Sequence, residues 1–165
     1  LAYKWSNATL LLNIFTMKSQ PLFSEADKKK IVNSIKEAEM NTSGEVRVHI
    51  EAYCKEANVL DRASKVFAEL SMHKTDLRNG VLFYLATHDR KFAILGDAGI
   101  NQKVPTNFWE CIKERMADKF RKGLFTEGLS EGIIEAGLQL KKHFPRASDD
   151  KNELSDDISF GNTTK

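Results

Sequence analysis

The stretch RNGVLFYLA, residues 78–86, decides the fold of this chain. Its first three residues form a turn sequence, and the next six are apolar without any alternation. A short apolar run that follows a turn is typical of a strand covered by other elements on both faces. We therefore predict that residues 81–86 form the central strand of a sheet.

Two further strands are predicted beside this central one. Residues 46–51 alternate apolar and polar side chains, so one face of that strand is apolar. Residues 91–95 follow the central strand after a short link, which predicts an antiparallel hairpin. A helical pattern separates the first two strands, so we expect them to run parallel, joined by a right-handed crossover.

Four segments show helical spacing of apolar residues. Together with the strands they give the order helix, strand, helix, strand, strand, helix, helix, which predicts an α/β layered domain. Three glycines in the last helix each cost about 1 kcal/mol of helix propensity, which indicates close approach to a neighbouring backbone. The predicted helices run from Ser24 to Met40, from Asp61 as the cap to His73, from Pro105 to Gly123, and from Thr126 to Phe144.

The composition is that of one soluble globular domain. The chain has 165 residues, of which 41% are hydrophobic and 29% are charged. Its net charge of +2 is interspersed along the chain, which argues against nucleic acid as a partner. Since no run approaches the roughly 18 apolar residues of a membrane helix, we expect no membrane span. Cys54 and Cys111 lack partners at metal-site spacing, so we expect buried free thiols.

The two ends of the chain differ from the part between them. Residues 1–16 begin without methionine and show no period, so we expect non-native or disordered sequence there, outside the fold. A cleaved export signal is the alternative. Residues 17–145 carry the predicted domain. Residues 146–165 are polar, acidic and without period, which predicts a flexible tail that becomes ordered only when something binds it.

Polar residues gather at both ends of the predicted sheet. The amino end, where the parallel strands begin, collects the loops at residues 43–45, 74–80 and 96–101. Fold analogy favours ligand binding at the opposite, carboxyl end, but the loops at the amino end are richer in glycine and oxygen ligands. The carboxyl end collects Glu51, Asp61, Arg62, His88, Asp89 and Arg90.

The amino end offers oxygen ligands for a hard cation. Calcium (Ca²⁺) and magnesium (Mg²⁺) prefer several oxygens that converge from loops. The alternative is that these Asp and Asn side chains only cap turns and helices. Neither an EF-hand nor a P-loop pattern occurs in the sequence. The predicted metal ligands are Glu45, Asp76, Asn79, Asp97 and Asn101.

Several of these segments recur, in the same order, in a known family. Over residues 22–144 the chain resembles the TPM domain family, named after a thylakoid lumen protein, a photosystem II repair protein and a modulator of levamisole receptors. It is most similar to small bacterial members. The resemblance rests on SGEVRV at 43–48, RNGVL at 78–82, Asp89-Arg90, Gly96 and Gly99, FRKG at 120–123, EGL at 127–129 and Gly132-Ile133.

The resemblance implies a fold, a ligand and a location. It implies a three-layer α/β/α sandwich of Rossmann-like appearance, with a small mixed sheet that contains a parallel crossover pair and an antiparallel hairpin. It also implies divalent-cation binding, known for some members, and weak acid phosphatase activity, reported for a plant member. Most members are exported or membrane-tethered. We expect this chain to be cytoplasmic, because it shows neither a convincing signal nor an anchor, with export as the alternative.

One loop departs from the family pattern. Many members carry Gly-x-Gly-x-Glu after the third strand, whereas residues 96–101 here contain one extra residue. Asn101 stands where the family often has Glu, and Asp97 offers a carboxylate nearby. This departure weakens the prediction of phosphatase activity from the resemblance more than it weakens the prediction of the fold.

Three functions follow as hypotheses. The first is a monomeric domain that binds Ca²⁺ or Mg²⁺ at the amino end. The second is a protein-interaction adaptor in stress or membrane-protein maintenance, which uses the acidic tail or the polar strand face of Arg47, His49 and Glu51. The third is a weak metal-assisted phosphatase, in which Arg78 or Arg90 neutralises developing charge.

Overall fold

A five-stranded sheet organises the protein, and its strand order is β1-β4-β3-β2-β5. The computed structural model describes residues 2–4, 21–146, 148 and 151–161. The strands are β1 (Ala2–Lys4), β2 (Val46–Glu51), β3 (Val81–Ala86), β4 (Lys91–Gly96) and β5 (Ser159–Phe160).

The three central strands pair as predicted. β2 runs parallel to β3, with Val46 opposite Val81, and β3 runs antiparallel to β4, with Val81 opposite Gly96. All six residues of β3 are buried. Phe83 and Leu85 face one core, while Leu82 and Tyr84 face the other, because successive side chains of a strand point to opposite faces. The lack of alternation in the sequence is therefore the mark of a strand with two buried faces.

The helices cover both faces of the sheet, which confirms the three-layer α/β/α sandwich. On one face lie α1, α4 and α5, around a core that includes Ile31, Ile112 and Ile133. On the other face lies α2, which buries Val66 and Phe67 against β3 and β4. The helices are α1 (Glu25–Glu39), α2 (Val59–Glu69), α3 (Ala98–Asn101), α4 (Phe108–Arg121) and α5 (Phe125–His143), with a 3₁₀ turn at Met72–Lys74.

The caps account for the helix boundaries. The predicted capping box is present, since the Ser24 side chain accepts from the amide of Asp27 and the Asp27 carboxylate accepts from the amide of Ser24. Helix α2 begins earlier than predicted, because Asn58 and not Asp61 caps it, accepting from the amide of Leu60 at 2.9 Å. The short helix α3 is an addition to the prediction. In the part of the chain that the structure describes, no helix is long and apolar enough to cross a bilayer.

Both cysteines are free, as predicted, but they are not both buried. Cys54 is partly exposed and Cys111 is exposed on the outer face of α4. Cys111 lies outside the buried face of α4, which includes Phe108, Ile112 and Met116, so the expectation of a buried thiol is wrong at this position.

The two ends of the chain add the outer strands of the sheet, which corrects two expectations. Ala2–Lys4 pairs antiparallel with β4, although residues 1–16 are expected outside the fold, and the rest of that segment lies outside the described residues. Within the tail predicted to be flexible, Ser159–Phe160 pairs parallel with β2. Strands of two or three residues are too short to leave a period in the sequence, and the backbone groups of a sheet edge attract them.

Helices α1 and α5 cross at very close range. A Cβ atom placed on Gly137 would lie 2.6 Å from the Cβ and 2.7 Å from the Cα of Ala38. The prediction that the glycines of the last helix mark close backbone approach is therefore confirmed at this position.

Replacing Gly137 by alanine should lower the free energy of unfolding. Overpacking against Ala38 costs about 1–3 kcal/mol, which outweighs the gain of about 1 kcal/mol in helix propensity. Urea unfolding of Gly137→Ala measures the net sign. Leu138→Ala, at the adjacent position with 62% of the residue exposed, is the control and should change stability by less than about 0.5 kcal/mol. A stabilised Gly137→Ala would contradict the close crossing.

Candidate functional site

The loops at the amino end of the parallel strands meet, as the sequence predicts. Asn79 donates from its side-chain amide to the carbonyl oxygen of Ser43 at 3.1 Å, which ties the loop after α1 to the loop before β3. The amide of Gly99 donates to the carbonyl oxygen of Arg78 at 2.8 Å, which ties the loop after β4 to the same point. A side chain at Gly99 would collide with the backbone of Leu77, so this approach requires glycine.

Asp97, a predicted metal ligand, is bound by an arginine. Arg78 donates from Nε to Oδ2 at 2.6 Å and from Nη2 to Oδ1 at 2.8 Å, and Oδ1 also accepts from the amide of Ala98 at 2.8 Å. The carboxylate thus caps α3 and holds a bidentate ion pair, although Arg78 itself is half exposed. A metal ion would have to compete with the guanidinium for both oxygens.

Asn101 and Asp76, two other predicted ligands in these loops, do not join Asp97 in a common site. Asn101 donates to the carbonyl oxygen of Gly96 at 2.7 Å and accepts from the indole of Trp109 at 2.8 Å, so its side chain links α3 to β4 and α4. Asp76 is exposed in the loop before β3. Within the described ranges, no group of three His, Cys, Asp or Glu side chains has the arrangement of a preformed metal site.

A cavity of about 120 Å³ opens beside these loops, between the end of α1, the loop before β2 and the carboxyl-terminal segment. Three carboxyl groups from three parts of the chain line it, and we call Glu39, Glu45 and Asp156 the carboxylate cluster. Lys36, Asn152 and Arg146 also line this cavity. The structure therefore joins Glu45, which the sequence predicts, to two carboxylates that the sequence reasoning missed.

Each missed residue has a physical reason. Glu39 lies in the last turn of α1, where a negative charge opposes the helix dipole, and that placement is the sequence signal that could have revealed it. Asp156 lies in the segment without period, and only its placement parallel to β2 brings it to the cavity.

Glu45 fastens the carboxyl-terminal segment to the cavity. Its side chain is buried, with Oε1 accepting from the amide of Glu153 at 2.9 Å and Oε2 from that of Leu154 at 3.3 Å. The neighbouring guanidinium of Arg47 donates to the carbonyl oxygen of Ser155. Burial lowers the pKa of Arg47, although the nearby carboxylates oppose that shift.

Glu39 is the most perturbed carboxyl group of the cluster. Burial raises its pKa to about 8, although the amide of Val46, which donates to Oε1 at 2.7 Å, acts in the opposite direction. The charges of Glu45 and Asp156 raise it further, as does a hydrogen bond between the carboxyls of Glu39 and Asp156. At neutral pH the Glu39 carboxyl therefore keeps its proton.

At the carboxyl end of the sheet, the buried charges of Glu51 and Arg62 pair with each other. Arg62 donates from Nε and Nη2 to the two carboxylate oxygens of Glu51 at 2.9 and 3.1 Å, and the Tyr84 hydroxyl also donates to Glu51. Burial alone would raise the pKa of Glu51, but these hydrogen bonds hold it below its ordinary value. Asp89 accepts from the amide of Cys54 at 2.7 Å. These groups stabilise the fold.

Glu39 should make the folded state less stable as the pH rises from about 5 to 8. Below its ordinary pKa of 4.5 the group is protonated in both states, so it contributes nothing. Between 4.5 and about 8 only the folded state keeps the proton, so unfolding becomes easier with rising pH. Urea unfolding at several pH values should show this slope, and Glu39→Gln should remove it. Glu37→Gln, on the exposed side of α1, should keep it; an unchanged slope in Glu39→Gln would contradict the assignment.

Comparison with known proteins places the chain in a family. The model of the TPM domain matches residues 17–138. The NMR structure of the BA42 protein from the psychrophilic bacterium Bizionia argentinensis is 44% identical to this chain, with a TM-score of 0.80. That similarity covers 87% of this chain and 99% of BA42. A search of curated proteins found no match.

Two more distant solved structures share the fold. The N-terminal domain of a P. gingivalis protein is 23% identical with a TM-score of 0.63, covering 76% of this chain and 83% of that one. The N-terminal domain of the cg2496 protein from Corynebacterium glutamicum is 10% identical with a TM-score of 0.58, covering 82% and 92%. Since the family model spans well over half of the sequence, this chain belongs to the TPM domain family.

Proposed function

We propose that this TPM domain binds a divalent cation, Ca²⁺ or Mg²⁺, at the carboxylate cluster of Glu39, Glu45 and Asp156. The observation that carries the proposal is that three carboxyl groups line one cavity, with the Glu39 carboxyl hydrogen-bonded to that of Asp156. Because these groups, all within the described part of the chain, are not preformed as a metal site, an ion would have to draw them together. Carboxylate oxygens are the ligands that both ions prefer.

The proton on Glu39 supports this proposal physically. Burial is the main reason why the pKa of Glu39 is raised and the group keeps its proton, and repulsion from the charges of Glu45 and Asp156 adds to the effect. A divalent cation relieves the same repulsion with two charges, and it releases the proton when it binds. The ion would thus replace the proton of Glu39 and draw Glu45 and Asp156 toward it.

The carboxylate cluster is a better candidate for the cation site than the full set of ligands predicted from the sequence. Both oxygens of Asp97 are held by Arg78, and the side-chain oxygen of Asn101 accepts from Trp109. Of the residues in that predicted set, the proposal therefore retains Glu45. Asp76, Asn79, Asp97 and Asn101 form the competing site that the experiment must separate from it.

The two alternative functions have less support. The adaptor hypothesis uses the acidic tail or the polar face of β2. His49 and Glu51 on that face are buried, and the tail itself contacts Glu45 and pairs with β2. The phosphatase hypothesis uses Arg78 or Arg90 near a metal ion. Arg78 is paired with Asp97, and Arg90 lies in the turn between β3 and β4, at the opposite end of the sheet from the cluster. Cation binding requires neither arginine.

Titration with Ca²⁺ or Mg²⁺ should shift the amide resonances of Glu45, Val46 and Asp156 and raise the melting temperature. At about a hundredfold excess over Kd, the added stability should approach 2.7 kcal/mol. Glu39→Gln and Asp156→Asn should each weaken binding by about tenfold or more, because each removes a charged ligand. Glu37→Gln, on the same helix but exposed, is the matched control and should bind like the wild type.

Two further results decide between the sites. In weakly buffered solution near pH 7, ion binding should release a proton from the wild type and not from Glu39→Gln. If Asp97→Asn abolishes binding while Glu39→Gln keeps it, the ion lies at the loop of residues 96–101 instead. If neither ion moves an amide resonance or the melting temperature, the proposal of cation binding fails.

A further inference from the structure

One wall of the carboxylate cluster is made by the carboxyl-terminal segment, residues 151–161, which we call the strap. Asp156 of the strap is hydrogen-bonded to Glu39, and Asn152 of the strap also lines the cavity. Glu39 belongs to the last turn of α1, and Glu45 directly precedes β2. The cluster therefore has all three of its carboxyl groups only while the strap lies against the domain.

The strap also orients Glu45 through its backbone. The two carboxylate oxygens of Glu45 accept from the amides of Glu153 and Leu154 at 2.9 and 3.3 Å. A carboxylate offers about four lone-pair sites, so these amides and an ion can use the same carboxylate. Hydrogen bonds to a metal-ligating carboxylate fix its orientation. Release of the strap would thus take Asp156 out of the site and remove this support from Glu45.

Like charges oppose the docked position of the strap. Asp156 and Glu45 both act on Glu39 as negative charges, so the strap brings an acidic group to a wall that is already acidic. A divalent cation between these groups would replace part of that repulsion with attraction. Basic groups near the cluster already offset some of it, and these are Arg47, Lys36 and Arg146.

The other contacts of the strap are modest. Leu154 packs against the core on the α2 side and Ile158 against the core on the opposite face, and both side chains are only partly buried. Strand β5 contributes two residues to the sheet, and its Phe160 is 57% exposed. Segments with few buried apolar contacts open at a lower free energy than the core. The strap can therefore open while the rest of the domain stays folded.

We infer that residues 151–161 form a cation-controlled strap: its docking completes the site at the carboxylate cluster, and Ca²⁺ or Mg²⁺ bound there holds the strap and its strand β5 on the outer edge of β2. The inference rests on the proposed cation binding and adds the regulation of that site. The two equilibria are linked, so the factor by which docking raises the affinity for the ion is also the factor by which the ion favours docking. Without the ion, the strap opens more often and uncovers the edge of β2.

Hydrogen exchange of the Gly161 amide in the full chain measures how often the strap opens. This amide donates to the carbonyl oxygen of Ile50 at 3.0 Å, and it lies five residues beyond Asp156. With the ion at about a hundredfold excess over Kd, its exchange should slow by about tenfold, because an open strap lowers the affinity for the ion by a similar factor. The Gly123 amide, which donates to the carbonyl oxygen of Phe120 at 3.0 Å after α4, is the matched control and should not respond.

Two variants weaken docking of the strap without removing a ligand. Gly161→Val adds a Cβ atom that would lie 2.5 Å from Oε2 of Glu51, an oxygen that Arg62 holds at 3.1 Å. Leu154→Ala removes an apolar contact of the strap with the core on the α2 side. Calorimetric titration of each variant should show an affinity for the ion that is lower by about fivefold or more. Leu70→Ala, which removes a partly buried leucine of α2 from the same core, is the control and should bind like the wild type.

The outcomes separate this inference from the proposed function. Unchanged amide resonances of β3 report that each variant is folded. If the wild type binds the ion, but the exchange of Gly161 stays the same and both strap variants bind equally well, the control by the strap is overturned while cation binding stands. An equal loss of affinity in Leu70→Ala and Leu154→Ala would assign the effect to the core, and would also overturn the inference. A wild type that binds neither ion overturns both.

Discussion

The burial of β3 on both faces is the constraint on which the rest of the structure depends. Its six apolar residues need helices on both sides of the sheet, and the helix that returns from β2 to cover one side forces β2 and β3 to run parallel. The hairpin to β4 then sends the chain back to the end where the parallel strands begin. The meeting of loops at the amino end is thus a consequence of how one strand is buried.

The two ends of the sheet treat buried carboxylates in opposite ways. At the carboxyl end, Glu51 is paired with Arg62 and stays ionised, and this ion pair holds α2 to β2. At the amino end, burial and then the neighbouring carboxylates raise the pKa of Glu39, which keeps a proton instead. A cation that bound beside Glu39 would displace this proton, and that contrast directs the functional proposal to the amino end.

The carboxyl-terminal segment contributes both to the carboxylate cluster and to the sheet. It supplies Asp156 to the carboxylate cluster, and a few residues later it covers the outer edge of β2. A cation bound at the cluster would therefore hold the segment in place.

The amino-acid sequence by itself determined the α/β class, the parallel crossover, the hairpin and the meeting of loops at the amino end, because these follow from local periodicity and chain connectivity. It also placed Glu45 at that end and indicated the close crossing of α1 and α5 from the glycines of the last helix. Only the tertiary structure decided which partners each polar side chain has. Asp97 could face a guanidinium or an open cavity, and the contact with Arg78, 19 positions away, decides which. The approach of Asp156 to Glu39 likewise joins residues 117 positions apart. Such contacts leave no period in the sequence, and a two-residue strand that docks on a sheet edge leaves none either.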